Sequence, residues 1–153
     1  MTDSGVKEAI AEVEKLGGRC KVGRKGQVRE VTLTGPSFSD ADLACLKRLP
    51  GIEILYLTKT RVSDAGLENL KGLTSLKRLS LGGGQVTDAG LEHLSGLANL
   101  ERLYLFKVQV SGAGLRHIEG LANLRELDLR FTRVTDVGAN ELRKALPDCR
   151  IYR

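Results

Sequence analysis

Apolar residues change their spacing in a regular way along most of this chain. In the segment 73–97, leucines first alternate with polar residues, as on a strand with one buried face. Apolar residues then recur at roughly helical spacing. The strand positions are Leu76, Leu79 and Leu81, and the helix positions are Val86, Leu91, Leu94 and Leu97. The segment therefore predicts one short strand followed by one short helix.

The same unit occurs five times with a period of 24 residues. The copies begin at Lys25, Leu49, Leu73, Leu97 and Leu121, and the first is the most degenerate. One strand and one helix cannot bury their own leucines, whereas stacked copies bury them between neighbours. We therefore predict an α/β solenoid in the form of an open horseshoe, with parallel strands on its concave side and helices on its convex side.

A hydroxyl residue separates the strand from the helix in every copy. These residues are Ser39, Ser63, Thr87, Ser111 and Thr135. A hydroxyl at this point can accept a hydrogen bond from a free N–H of the first helical turn, so these residues are predicted helix N-caps. Aspartates follow several of them, at Asp64, Asp88 and Asp136. We expect these carboxylates to be structural, because the helix dipole favours negative charge in the first turn.

The ends of a repeat array need covers, because a terminal repeat exposes a layer of leucines. Residues 4–16 predict an amphipathic helix that ends at Gly17 and turns Val6, Ile10 and Val13 to one face. The segment after it predicts a hairpin that turns near residues 23–26, with Cys20 and Val22 facing inward. The whole chain, 1–153, is predicted to be one domain. It comprises an N-terminal helix-hairpin cap (1–24), five repeats (25–145) and a C-terminal cap strand (146–153).

The repeat pattern, "LxxLxLxxTxVTDAGLxxLxxL", resembles the leucine-rich repeat over about residues 25–146. It is closest to the variant with helical convex segments seen in bacterial repeat proteins, and it is similar to the cysteine-containing repeats that accompany F-box proteins. The resemblance implies a horseshoe that binds partners, usually proteins, on its concave sheet. Gly84 and Val108 replace the usual threonine and Gly112 replaces the usual aspartate, so the local turns are expected to differ there.

Three consecutive glycines, at 82–84, follow a predicted strand and precede a predicted helix, as in nucleotide-binding loops. A dinucleotide fingerprint would place a third glycine where Thr87 stands, and a phosphate-binding P-loop would need Gly-Lys-Ser/Thr. The glycines occupy ordinary repeat positions and are not an inserted loop. We therefore expect no nucleotide cofactor, and we predict that Gly82 opens a notch without side chains in the concave wall, where it contacts a partner.

Aromatic residues concentrate on the side of the predicted sheet that faces away from the leucines. The chain has three Phe, three Tyr and no Trp. Four of the six aromatic residues fall on this strand side, at Tyr56, Tyr104, Phe106 and Phe131. Positions that point into water give large aromatics no role in folding, whereas interfaces favour them. Aromatics also suit strands in general, so a purely structural explanation stays open.

The net charge of +5 falls on the same side. With the residues at both ends of each strand included, the strand side holds ten Lys and Arg and five acids, and the rest of the chain holds fourteen of each sign. The basic residues are Arg29, Lys59, Arg61, Lys77, Arg78, Arg102, Lys107, Arg125, Arg130 and Arg133, and the acids are Glu30, Glu53, Glu101, Glu126 and Asp128. A basic, aromatic concave surface predicts an acidic partner and electrostatically assisted association.

No spacing of titratable residues points to catalysis or to a metal. His93 and His117 occupy the same repeat position and are predicted to lie on a solvated convex face. The three cysteines, Cys20, Cys45 and Cys149, are an odd number without metal-ligand spacing, so free thiols and a reducing compartment are expected. No apolar run approaches the roughly 20 residues of a membrane span, and the N-terminal residues do not have the pattern of a signal peptide.

We therefore interpret the chain as a non-enzymatic protein-binding module, a cytoplasmic monomer without cofactors, metals or membrane contact. The predicted binding residues are Tyr56, Lys59, Arg78, Gly82, Arg102, Tyr104, Phe106, Lys107, Arg130 and Phe131. Binding to single-stranded nucleic acid is the alternative function, because arginines beside stackable aromatics also suit that task. The interleaved acids and the small positive excess disfavour it. A scaffold without a specific partner is a further alternative.

Overall fold

Seven strands follow one another in sequence order across one open sheet in the computed structural model, which describes residues 3–153. The strands are β1 (Arg19–Val22), β2 (Val28–Thr34), β3 (Ile54–Thr58), β4 (Arg78–Ser80), β5 (Arg102–Tyr104), β6 (Glu126–Asp128) and β7 (Arg150–Tyr152). β1 and β2 form an antiparallel hairpin in the N-terminal cap, and every later pair is parallel. The predicted α/β solenoid, with parallel strands in its repeats, is confirmed.

The strand register follows the sequence period. Leu79 lies opposite Leu55 on one side and Leu103 on the other, and Leu103 lies opposite Leu127. All four leucines are fully buried. The core built from these columns continues from Ala9 in the N-terminal helix to Cys149 before the last strand. Burial of leucines between adjacent copies, which the stacking argument requires, is therefore the main stabilising contribution of the fold.

The convex side consists of short helical segments. The α-helices are α1 (Asp3–Lys15), α2 (Asp64–Leu67), α3 (Asp88–Leu91), α4 (Gly112–Leu115) and α5 (Asp136–Ala145), and the 3₁₀ segments are Asp40–Arg48, Glu68–Leu70 and Glu92–Leu94. In the second and third repeats a single α-helical turn passes directly into a 3₁₀ turn. A 3₁₀ turn rises about 2.0 Å per residue, against about 1.5 Å in an α-helix, so it covers the distance back to the next strand with few residues.

Aspartates join each repeat to the next along the convex side. Asp64 Oδ1 accepts a hydrogen bond from the backbone N–H of Thr87 at 2.7 Å, and Asp64 Oδ2 accepts one from the Thr87 hydroxyl at 2.5 Å. Asp40 binds Ser63, and Asp88 binds Ser111, in the same way. We call these contacts the aspartate ladder. Asp64 and Asp88 therefore connect neighbouring copies, in addition to the favourable interaction with the helix dipole that the sequence predicts.

The aspartate ladder changes the role predicted for the hydroxyl residues. Ser63 and Thr87 stand at N-cap positions, but their side chains do not accept hydrogen bonds from their own helices. The Ser63 and Thr87 hydroxyls donate to the aspartate of the preceding copy instead. Ser39 forms a capping box with Asp42 of its own 3₁₀ segment. Ser111 and Thr135 accept a hydrogen bond from their own helix as predicted, from Ala113 N–H and Gly138 N–H.

The aspartate ladder stops at Gly112, where the sequence departs from its own pattern. Thr135 has no aspartate in the preceding copy to bind, and its hydroxyl accepts a bond from Gly138 N–H at 3.3 Å. A Cβ atom at Gly138 would lie 2.9 Å from the Cα of Gly112, so two glycines pack backbone against backbone here. Asp136, beyond the break, forms an ion pair with Arg153 in the C-terminal segment.

The caps follow the sequence prediction, with one exception. Val13 on α1 is buried and Val6 and Ile10 pack against the core, while Gly17 has a left-handed φ of 86° after the helix. Val22, which we expected to face inward, is 54% exposed. β1 is the edge strand of the sheet, and its pairing with β2 becomes irregular between Lys21 and Val22, so simple alternation no longer predicts burial there. Residues 1 and 2 of the predicted cap lie outside the described part of the chain.

Burial keeps the thiols protonated. Desolvation raises the pKa of Cys20 and of Cys149 to about 11, and burial also raises the pKa of Cys45. A thiol in this state is a poor nucleophile at neutral pH, because the thiolate is the reactive form.

We expect iodoacetamide to modify Cys20 and Cys149 about 100-fold more slowly in the folded protein at pH 8 than in the urea-unfolded chain, in line with a pKa raised from 9.0 to about 11. The raised pKa stabilises the fold below pH 9, and this contribution is lost as the pH rises through about 11. Mass spectrometry of timed samples measures the rates. Equal rates for the folded and unfolded chains, or a chain that takes up only one label after unfolding, would contradict this prediction.

Candidate functional site

The central row of the strand side is occupied by two tyrosines. Tyr56 on β3 and Tyr104 on β5 flank Ser80 on β4, and all three lie in register. Ser80 is buried beneath its neighbours, whereas the two tyrosines are half-buried. The row therefore presents the edges of two rings with a small residue between them.

Both tyrosine hydroxyls are engaged in hydrogen bonds. Arg78 Nη1 donates to the Tyr56 oxygen at 3.2 Å, and the Tyr104 hydroxyl donates to Glu126 Oε1 at 3.1 Å. Burial and the hydrogen bond to Glu126 raise the pKa of Tyr104, so its hydroxyl stays a donor. Arg102 Nε lies 3.7 Å from the other oxygen of Glu126. The four predicted site residues thus fall into two polar groups, Arg78 with Tyr56 and, through Glu126, Tyr104 with Arg102. The sequence indicated Glu126 only as a charge.

A second group of predicted residues lies where the strands end. We call Phe106, Lys107, Arg130 and Phe131 the aromatic–cation cluster. The two rings meet edge to face, with centroids 5.1 Å apart and an interplanar angle of 75°. Lys107 Nζ lies 5.6 Å from the centroid of Phe106 and 5.8 Å from that of Phe131. Phe131 is 72% exposed, the largest exposed fraction among the large apolar side chains of residues 3–153.

Asp128 binds the guanidinium of Arg130 in the aromatic–cation cluster and holds it in place. Arg130 Nε donates to Asp128 Oδ1 at 3.0 Å and Nη2 donates to Oδ2 at 2.6 Å, which is the bidentate geometry of a strong pair. Arg130 holds the pKa of the buried Asp128 carboxyl below its ordinary value. The guanidinium carbon lies 6.0 Å from the Phe106 ring. Asp128 is a positioning residue that we did not identify from sequence. Its spacing of two residues from Arg130 was the available signal, because residues i and i+2 of an extended chain point to the same side.

Left-handed backbone recurs at one repeat position in the loops that follow the strands. Gly35 and Gly83 have φ values of 106° and 73°, and Lys59, Lys107 and Phe131 have values of 56°, 56° and 61°. Two of the three non-glycine residues belong to the aromatic–cation cluster. An L-residue in this conformation costs roughly 1–2 kcal/mol relative to its right-handed state. The loop geometry therefore favours glycine, and the sequence places lysine and phenylalanine there instead.

Lys59→Gly is expected to raise the free energy of unfolding by about 0.5–1 kcal/mol, because relief of the left-handed strain exceeds the extra entropy of an unfolded glycine. Lys59→Ala is the matched control, since it removes the same charge and keeps the strain. Urea denaturation of both variants gives the measurement. The prediction is wrong if the glycine variant is no more stable than the alanine variant.

The notch predicted at the three glycines is not present. Gly82 is buried, and a Cβ atom there would lie 3.3 Å from Thr58 Cγ2 and 3.8 Å from Phe106 Cβ, so these neighbours close over it. Stacked strands place neighbouring side chains only about 4.8 Å apart, which leaves no open slot after one side chain is lost. Gly82 therefore has no surface for a partner. Gly83 supplies the left-handed φ of its loop, so it has a structural role.

Most carboxylates of the strand side already have cationic partners. Glu30 pairs with Lys21, Glu53 with Arg29 and Lys77, Glu126 with Arg102, and Asp128 with Arg130. Lys59, Lys107, Arg61 and Arg133 form no ion pair within residues 3–153. Of the six strand-side cations without an ion pair in this range, four therefore lie in the loops after the strands, and Arg78 and Arg125 lie at the opposite ends.

The convex histidines are less solvated than predicted. His93 and His117 are both half-buried, and His93 Nδ1 is buried without a hydrogen-bond partner. Across residues 3–153 no group of three His, Cys, Asp or Glu side chains is placed to hold a metal ion. None of the helices in this range has the length and apolar character needed to cross a bilayer.

Comparison with known proteins agrees with this architecture. The model of the "Leucine Rich repeat" family matches residues 72–95 and 120–142. No curated protein matches the sequence. Among solved structures, internalin C2 from Listeria monocytogenes is 28% identical, with a TM-score of 0.58 over 71% of this chain and 44% of its own. This chain therefore spans less than half the length of that internalin.

Two further structures are similar over almost the whole chain. The leucine-rich-repeat ectodomain of the receptor kinase SOBIR1 from Arabidopsis thaliana is 16% identical, covers 98% of this chain and 91% of its own, and has a TM-score of 0.63. A chain of the SNF/U2A′ complex of Drosophila melanogaster is 18% identical, covers 100% of this chain and 83% of its own, and has a TM-score of 0.64. These two support the fold alone. The 24-residue period, the two matched repeats and the similarity to internalin C2 support a leucine-rich repeat protein.

Proposed function

We propose that this protein is a non-enzymatic binding module that holds a protein partner, rich in acidic groups, against its strand side. The observation that carries this proposal is the aromatic–cation cluster, in which Phe131, 72% exposed, meets Phe106 edge to face, with Lys107 near both rings and Arg130 near Phe106. Exposed rings beside cations contribute little to folding, whereas aromatic and arginine residues dominate the energy of protein interfaces.

The leucine-rich repeat fold supports a role in protein interaction, because one of the similar structures is a complex and another is a receptor ectodomain. On the strand side, the titratable groups of the central row are paired with one another, Tyr56 with Arg78 and Tyr104 with Glu126. We extend the proposal to a monomer in a reducing, cytoplasmic compartment. The free cysteines at positions 20, 45 and 149 support the reducing environment.

Affinity capture tests the proposal. Immobilised wild-type protein and a Tyr104→Ala/Phe106→Ala variant are exposed to the same lysate, and Glu68→Ala/Lys71→Ala on the convex side serves as the control. We expect the control to retain the same partner as the wild type and the strand-side variant to lose about tenfold or more of it. Circular dichroism verifies that all three are folded. Equal retention by both variants would contradict a strand-side interface.

Single-stranded nucleic acid is the competing ligand, because phenylalanine rings and arginines also bind bases and phosphates. The dependence on salt separates the two. A nucleic-acid complex that neutralises several phosphates loses orders of magnitude in affinity between about 50 and 200 mM salt. If a nuclease-treated lysate yields no partner while oligothymidylate binds with a steep salt dependence, the proposed protein partner is wrong.

A further inference from the structure

The positive charge of the strand side is not spread evenly over the sheet. We use the name loop rim for the five loops between each strand and the following convex segment, at residues 35–39, 59–63, 81–87, 105–111 and 129–135. These loops contain five basic residues and no acidic residue. The basic residues are Lys59, Arg61, Lys107, Arg130 and Arg133. At the opposite ends of the strands, five basic residues alternate with four acids, so the charge there nearly cancels.

Acids that stand next to the loop rim in sequence are already engaged elsewhere. The carboxylates of Asp40, Asp64 and Asp88 accept hydrogen bonds from the next repeat in the aspartate ladder. Asp136 is paired with Arg153, and Asp128 with Arg130. The cations Lys59, Arg61, Lys107 and Arg133 are therefore available to an incoming ligand, and the loop rim carries nearly the entire excess of positive charge.

The backbone at the loop rim supplies a second, independent observation. Lys107 and Phe131 adopt left-handed φ values of 56° and 61°, at a position where two other copies have glycine. Phe131 is a bulky side chain in a conformation that disfavours bulky side chains, and it leaves most of its ring in water. Its ring makes an edge-to-face contact with Phe106, and Lys107 approaches it. Strain kept at an exposed aromatic residue points to a role outside folding.

We propose that the loop rim, and not the centre of the sheet, is the contact surface, and that it binds an acidic peptide segment carrying one apolar side chain. This inference rests on the proposed function and names the site and the chemistry of the partner. Carboxylates of the segment pair with Lys107 and Arg133, and its apolar side chain packs on the exposed ring of Phe131. A cationic segment is repelled, because Lys107 already occupies the position near both rings that a cation would take.

The arrangement favours a peptide over a single strand of nucleic acid. Bound strands stack successive bases on successive aromatic side chains. Here Phe106 meets Phe131 edge to face, which leaves one ring open for stacking. The other two aromatics of the strand side, Tyr56 and Tyr104, are half-buried in the central row with their hydroxyls bonded. One exposed ring with Lys107 beside it, in a loop rim that carries further cations, matches one apolar anchor flanked by carboxylates.

Nuclear magnetic resonance of the full chain with defined probes tests the inference. The main probe is a dodecapeptide of Asp and Glu with one central Phe. Three comparison probes are the same peptide with Phe replaced by Ser, the same peptide with its acids replaced by Asn and Gln, and a twelve-nucleotide oligothymidylate. We expect the main probe to shift backbone amides of residues 59–61, 107–109 and 130–133. Loss of the acids should weaken binding by about tenfold or more, and loss of the Phe by severalfold.

Two variants of the protein complete the test. Lys107→Gln/Arg133→Gln should weaken binding of the main probe by about tenfold, while Lys47→Gln/Lys71→Gln, which removes the same charge from the convex side, should not change it. Phe131→Gly keeps a residue suited to the left-handed backbone, so it should stay folded and lose severalfold in affinity. Each variant's amide spectrum reports whether it is folded.

Failure of the loop-rim inference and failure of the proposed function would give different results in these experiments. Amide shifts centred on Tyr56, Arg78 and Tyr104, with no effect of the loop-rim variants, would overturn the loop rim and leave protein binding by the strand side intact. Oligothymidylate that binds more tightly than the acidic peptide would overturn both proposals. The absence of shifts with any probe at millimolar concentration would overturn the acidic peptide, while the lysate capture would still decide the proposed function.

Discussion

Gly90→Ala is expected to lower the free energy of unfolding by about 3 kcal/mol, although alanine normally stabilises a helix relative to glycine by up to about 1 kcal/mol. The reason is the aspartate ladder. A Cβ atom at Gly90 would lie 2.3 Å from Asp64 Oδ1, the oxygen that accepts the backbone N–H of Thr87. To make room, the carboxylate must move and give up charge-assisted hydrogen bonds to Thr87, each worth about 1.5–3 kcal/mol.

A matched glycine provides the control. Gly96 lies in a turn of the same repeat and is not in the left-handed region, and a Cβ atom added to it would meet nothing within 4 Å. Gly96→Ala should therefore be neutral or slightly stabilising. Urea denaturation gives both values. A Gly90→Ala protein as stable as Gly96→Ala would show that the close approach of Gly90 to Asp64 contributes nothing.

A double variant locates the cause of the Gly90→Ala effect. In Asp64→Ala/Gly90→Ala the new methyl group no longer meets a carboxylate, so its own cost should largely disappear. The double variant should then be about as stable as Asp64→Ala alone, which is a coupling of roughly 2–3 kcal/mol between the two sites. Additive costs would mean that the added methyl group is disfavoured for another reason, such as its contact with Leu67.

The repeat architecture could be predicted from sequence because the same spacing of leucines occurs in every copy. Each leucine column is repeated at the same spacing, and the register Leu55–Leu79–Leu103–Leu127 is simply the period of 24 residues expressed in space. A strand or helix that is assigned wrongly in one copy can be corrected by comparison with the other copies. The one wrong orientation, at Val22, lies in the cap, where a shift in the pairing of the hairpin has no counterpart in the repeats.

Features that depend on distances between copies could not be predicted in the same way. The sequence places Asp64 and Thr87 in neighbouring units, but only the spacing of the stacked helices brings the carboxylate within 2.7 Å of the Thr87 N–H. The closing of Thr58 and Phe106 over Gly82 has the same origin. The aspartate ladder nevertheless leaves a trace in the sequence, because Asp, a hydroxyl residue and Gly recur together in the convex segments.

The candidate site was predicted in its residue types and not in its arrangement. Tyr56, Arg78, Tyr104 and Arg102 fall on the strand side as expected, but with Glu126 they form two polar clusters that leave few free polar groups. The left-handed φ of Lys107 and Phe131 has no sequence signal, since glycine occupies that position only in the copies of Gly35 and Gly83. This backbone conformation is what separates the loop rim from the rest of the sheet.

Leu103→Ala is expected to lower the free energy of unfolding by about 2–5 kcal/mol, through lost transfer free energy and the cavity left in a packed layer. Leu103 is fully buried and lies between Leu79 and Leu127, in the middle of the leucine column. Leu16→Ala removes the same atoms from a leucine that is 36% exposed, and it should cost about 1 kcal/mol or less.

The position of Leu103 also determines where the damage from Leu103→Ala appears. Each repeat contacts only its neighbours, so the weakened interfaces are those of β5 with β4 and with β6. Native-state hydrogen exchange should show amides of these three strands losing protection, while the hairpin of β1 and β2 retains more of its own. Equal losses for Leu103→Ala and Leu16→Ala would contradict a core made of stacked leucine layers. Uniform loss along the chain would instead mean that the repeats unfold as a single cooperative unit, because coupling between neighbours then exceeds the cost of the cavity.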